Sequence, residues 1–105
     1  MERLALTKAR IIDGIGRAPV EAGTILIEGQ MLKAVGPAAD IAVTKDCRTI
    51  DLQGKTVLPL LIDGHMHVGG EPGRLDHLGH VRTNLQGVGK LQQCLAWGTG
   101  TVGHA

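Results

Sequence analysis

Short apolar and β-branched runs, each broken by Gly or Pro, fill the first half of the chain, whereas near-helical spacing appears only once, late in it. Residues 3–12 mix Leu, Ala, Thr and Ile in a strand-like run that stops at the turn dipeptide Asp13-Gly14. After a loop containing Pro19, residues 24–27 resume the β pattern. Glu28-Gly29 then separates them from residues 30–35, the form of a hairpin whose Gly supplies positive φ. Gly36-Pro37 ends that pair. Residues 38–42 read either as a short helical turn or as a plain connector. Residues 48–52 form another short strand, and Gln53-Gly54 turns the chain into residues 56–58. This series predicts a small β-sheet module over 1–56, with Pro59, which cannot donate to a ladder, at its boundary.

The stretch Val57 to Gly70 reads VLPLLIDGHMHVGG, an apolar run that turns polar at its far end. On a strand, Leu61, Asp63, His65 and His67 share one face while Ile62, Met66 and Val68 share the other. Residues 71–80, EPGRLDHLGH, read as a loop from their Pro and Gly content. Thr83 with Gln86 has the form of a capping box, and Leu85, Val88, Leu91 and Leu95 follow at near-helical spacing. A helix is therefore predicted over 84–97, ended by Gly98 as its C′ residue, with a strand over 99–102 after it. The expected fold class is an α/β fragment, with a β-sheet module over 1–56 and a parallel strand, helix, strand unit over 57–105.

Two imidazoles at i and i+2 point the same way on a strand, whereas on a helix they would splay about 200° apart. His65 and His67 could then share one metal ion, provided that other elements bring further ligands. Asp63 has two readings. It could orient a ligand histidine, or it could tie down the loop backbone at Gly64. His77 and His80, beside Asp76, have an HxxH spacing that could add ligands, but Gly73 and Gly79 soften that segment and favour a solvated loop or helix start. His104, at the end of the second strand, could face a site rim or fray with the terminus. Gly98, Gly100 and Gly103 spell GxGxxG, yet a helix precedes them where a strand is required, so dinucleotide binding is rejected. GVGK at 87–90 lacks the other parts of a phosphate loop.

These residues carry a family resemblance. LPLLIDGHMHV resembles the end of the first barrel strand in the amidohydrolase superfamily of metal-dependent hydrolases, whose usual form is PGxxDxHxH. ALTKARIIDG, TILIEGQMLKAVG and TIDLQGKTVLP look like the small β-domain that precedes the barrel in imidazolonepropionase-like, dihydroorotase-like and prolidase-like members. The resemblance covers about residues 3–70 well and the remainder more weakly. Leu60 stands where the family has Gly, and Gly103 with His104 stand where many members have Arg and Asp. The resemblance implies that 57–105 begin a TIM-like (β/α)8 barrel and that His65 and His67 bind zinc or another divalent ion, one or two in the complete enzyme. It further implies hydrolysis of an amide or cyclic amide in a small-molecule substrate by a metal-activated water, with the general base, and hence the catalytic proton shuttle, supplied from outside these residues.

Length and composition narrow the expectation. A complete barrel takes about 250 residues, and here there are 105. The chain is therefore expected to be the N-terminal portion of such an enzyme and inactive in isolation. Net charge is +1, with 11 basic and 10 acidic residues interspersed, so neither nucleic acid nor a membrane surface is an expected partner, and a cytoplasmic protein is the default. Cys47 and Cys94 lack ligand spacing and read as reduced, partly buried thiols. With 16 glycines, no Phe or Tyr and Trp97 as the only aromatic residue, stability should be marginal. Open sheet edges leave an alternative from another class, a non-catalytic truncated relative that forms homo-oligomers or binds a partner.

Overall fold

The computed structural model describes residues 2–69 and 77–104, with the side chains of 77–80 and 104 outside that description. The chain is a small, β-rich α/β protein with a mixed sheet and, among the described residues, one α-helix. It divides into two units, Met1–Pro59 and Leu60–Ala105.

In the first unit β1 (Arg3–Ile11) is the central strand. It pairs antiparallel with β2 (Val20–Glu28), which pairs antiparallel with β3 (Met31–Pro37). On its other side β1 pairs in parallel with β4 (Arg48–Asp51) and then with β5 (Thr56–Val57). Glu28 faces Met31 across the β2–β3 hairpin, and Gly29, at φ 58°, occupies the first of its two loop positions. A two-residue loop matches the twist of the strands only when positive φ is available there. The segment 38–42 contains a short 3-10 turn, Ala38–Asp40.

The change of partner along β1 happens at a bulge. Lys8 has φ 54°, and the β1–β2 register shifts between Leu6 and Ala9. Just before it the Leu52 N–H donates to the Thr7 carbonyl at 2.9 Å; just after it the Gly54 N–H donates to the Lys8 carbonyl at 2.8 Å. Between β4 and β5, the Lys55 N–H donates to the Leu52 carbonyl and closes a tight turn in which Gln53 and Gly54 both have positive φ. Asp51 ties the two features together. Its carboxylate meets Lys8 Nζ at 2.6 Å and accepts the Gln53 N–H at 2.8 Å, and those contacts hold its carboxyl below the usual carboxylate range.

The core of this unit is small: Ala5, Ala9, Ile11 and Ile25 are its buried apolar residues, with Leu6, Val20, Ile27, Leu52 and Val57 packed partly around the last three. Beside it lies an open apolar concavity of about 560 Å³, lined by Leu6, Ile25, Ile27, Leu32, Val35 and Val57 among others.

In the second unit β6 (Leu61–Met66) and β7 (Thr99–His104) pair in parallel, joined by α1 (His77–Ala96). The helix begins at His77, seven positions earlier than its sequence signals suggest, so Thr83 and Gln86 lie inside it and form no cap. The reason is visible in the spacing: Leu78, Val81, Leu85 and Val88 continue one helical repeat upstream, and the penalty of about 1 kcal/mol for Gly79 does not outweigh it. At the other end the expectation holds. Gly98 has φ 93° and donates its N–H to the Leu95 carbonyl at 3.1 Å, an end that glycine accommodates without Cβ strain.

Among the described residues no helix is long and apolar enough to cross a membrane.

Ala22, at φ 49° in β2, holds a left-handed conformation in which a Cβ costs about 1–2 kcal/mol. Ala22→Gly removes that strain and adds some unfolded-state entropy. Urea denaturation should show it more stable by about 0.5–1 kcal/mol, and Ala22→Val less stable than the parent chain.

Candidate functional site

β6 carries the chemistry of the second unit. Met66 is half-buried, and its Sδ lies 3.6 Å from Cys94 Sγ on α1. Two turns earlier in α1, Gly87 is buried against Val68: a Cβ at Gly87 would fall 2.9 Å from the Val68 carbonyl oxygen. The helix therefore covers the Met66 and Val68 side of the strand. Residues at the alternate positions escape it, and His65 and His67 are both exposed. Their rings meet edge to face with centroids 5.2 Å apart.

Strict alternation fails at one point. The β6–β7 register runs Ile62 to Thr101 and Asp63 to Val102, and then resumes at Met66 to His104, so β6 has one residue more than β7 in that interval. This is a bulge over Gly64 and His65. A bulge takes backbone groups out of the ladder, and they need other partners. Here the His65 N–H donates to Asp63 Oδ1 at 3.1 Å. Asp63 thus ties down the backbone beside Gly64, the second of its two sequence readings, and is itself exposed.

Two imidazoles on one tetrahedral zinc ion, with Zn–N of about 2.0–2.1 Å, place their ring centroids about 5 Å apart. The observed separation is close to that distance, so His65 and His67 could hold one ion between them. Among the described residues no set of three His, Cys, Asp or Glu side chains comes together that could hold a metal, and two imidazoles are fewer than the three or four protein ligands that zinc normally recruits. His77 and His80 lie in the first turn of α1, and His104 ends β7; their side chains, like Asp76, lie outside the described residues. Cys47 and Cys94 are both free thiols. Motif reading weighed Gly100 and Gly103 only as part of GxGxxG and missed that they face β6 from β7, although a glycine inside a strand is itself a sign of close backbone approach.

Comparison with known proteins shows what the chain is similar to. No protein-family model matches the chain. An enamidase from Eubacterium barkeri is 37% identical over 62 residues, covering 58% of this chain and 16% of that protein. An imidazolonepropionase from Roseobacter denitrificans is 38% identical over 69 residues, covering 62% of this chain and 17% of that protein. Among solved structures, a molinate hydrolase superposes with a TM-score of 0.77 at 31% identity, covering 96% of this chain and 23% of that one. A solved amidohydrolase does so with a TM-score of 0.79 at 26% identity, covering 95% and 24%. The chain is an amidohydrolase-superfamily relative that matches only the N-terminal part of those proteins. It spans about one sixth of the length of the curated relatives named above and about a quarter of the solved ones.

The Asp63 bond has a direct readout. Asp63→Ala should leave the His65 amide unpaired and lower stability by about 0.5–1.5 kcal/mol. Hydrogen exchange at that amide should accelerate relative to its neighbours; unchanged protection would show that the carboxylate does not hold it.

Proposed function

We propose that this chain is the N-terminal portion of a metal-dependent amidohydrolase, hydrolysing a C–N bond in a small amide or cyclic amide. The observation that carries the reading is the His65–His67 pair, exposed at the carboxyl end of a parallel strand with its rings 5.2 Å apart. On a (β/α)8 barrel that is the end where active sites are built. The relatives' names, which include an amidohydrolase and a molinate hydrolase, support the reaction class.

Packing supports the same reading. Parallel strands are normally covered on both faces, and a sheet of two is short of that condition. Ile62 is 75% exposed, and Leu61, Leu85, Val88, Leu95 and Trp97 are also open to solvent. Further strand and helix units of a barrel would bury such residues, so residues 57–105 are read as its first β-α-β unit and residues 1–56 as the small sheet module before it.

In this reading His65 and His67 hold zinc or another divalent ion. Such an ion supplies a nucleophilic water near neutral pH and polarises the scissile carbonyl. Asp63 fixes the backbone of His65, so the pair meets the ion in a set orientation at little further entropic cost. The remaining ligands and the proton-shuttling carboxylate come from strands beyond these residues, as does substrate selection. The reading also takes His104, the last residue of β7, as a rim residue.

In the complete enzyme, His65→Ala and His67→Ala should each lower zinc content and hydrolysis of test amides by more than about 100-fold, the upper end of what even a supporting partner costs. Unchanged metal content and turnover in both variants would remove the pair from the reaction and favour the non-catalytic, self-associating alternative.

A further inference from the structure

The two strands of the second unit carry a pair of irregularities that cancel. Leu61 pairs with Thr99 but Ile62 with Thr101, so β7 first holds one extra residue, Gly100. Three positions later β6 holds the extra residue, in the bulge over Gly64 and His65, and the original register returns at Met66 and His104. On β7, glycine stands at the first irregularity, Gly100, and opposite the second, Gly103, for a steric reason. A Cβ at Gly100 would lie 2.8 Å from Leu60 Cβ, and a Cβ at Gly103 would lie 2.7 Å from the Gly64 carbonyl oxygen and 3.1 Å from its carbonyl carbon. Real Cβ atoms essentially never come that close, so the neighbour must move. At Gly103 that neighbour is backbone, which cannot rotate away. The contact is one-sided: a Cβ at Gly64 would meet nothing within 4 Å.

We infer that Gly103, supported by Gly100, is a positioning residue: its lack of a side chain lets the bulge over Gly64 and His65 settle against β7, and the bulge sets the aim of His65 relative to His67. This rests on the proposed role of the two histidines, but the geometric part stands without metal. Displacing the Gly64 carbonyl turns the peptide that joins it to His65. The His65 N–H then leaves Asp63 Oδ1, and the edge-to-face contact of the two rings opens. Leu60 and Gly100 belong to the same arrangement. The bulky residue that replaces the family's Gly at 60 occupies the space that a side chain at 100 would need.

The test compares Gly103→Ala and Gly64→Ala in the 105-residue chain by NMR. In the metal-free chain, Gly103→Ala should abolish the nuclear Overhauser contact between the His65 and His67 rings and speed exchange of the His65 amide, whereas Gly64→Ala should retain both. On addition of Zn²⁺, Gly103→Ala should bind at the two imidazoles about tenfold or more weaker than the parent. If Gly103→Ala loses the β6–β7 cross-strand contacts altogether, Gly100→Ala takes its place. Gly100→Ala should disturb the ring contact, and adding Leu60→Ala should restore it. A folded Gly103→Ala chain with the parent's ring contact, amide protection and zinc affinity would overturn the inference, as would failure of Leu60→Ala to rescue Gly100→Ala. Zinc that moves neither imidazole in the parent chain would instead defeat the ligand assignment, while the metal-free comparison still decides the positioning role.

Discussion

The two-residue period of β6 governs the second unit. An extended backbone sends neighbouring side chains to opposite faces, so one short strand can rest on a helix and still present chemistry on its other side. Met66 and Val68 take the covered side, against Cys94 and Gly87 of α1, while His65 and His67 take the open one. A shift of one residue would exchange the two sets and bury the imidazoles under the helix. The glycine bulge spares the pattern because it lies between Asp63 and Met66 and is offset by the extra residue at Gly100.

The first unit depends on a comparable local device. A nine-residue β1 could not keep a single parallel neighbour through the turn that joins β4 to β5. The left-handed residue at Lys8 and the Asp51 carboxylate let it exchange one for the other without leaving backbone groups unpaired. Few large side chains are buried there, because the sheet's own residues supply only one layer of a core. The open concavity and the exposed apolar residues of the second unit have the same physical origin: each is an apolar layer that the described residues leave uncovered on one side.

Much of this was legible from residue order. The hairpin at Gly29, the turn at Gln53-Gly54, the helix end at Gly98 and the parallel strand, helix, strand order each follow from local chemistry that tertiary contacts did not override. The helix start was not legible, since Pro72, Gly73 and Gly79 suggested a loop where residues 77–80 are helical. Nor were the bulges, because register is a property of two strands and Gly100 and Gly103 acquire meaning only when β6 lies beside them. The pairing of His65 with His67 was readable from i, i+2 spacing alone; the bond from Asp63 that fixes one of them became apparent only with the bulge.

The most direct measurement is zinc K-edge X-ray absorption on the zinc-loaded 105-residue chain and on His67→Ala. Two imidazole scatterers at about 2.0–2.1 Å in the parent chain, falling to one in the variant, are the expected result. A spectrum without imidazole scattering, or one unchanged by His67→Ala, would contradict the assignment of His65 and His67 as a shared ligand pair.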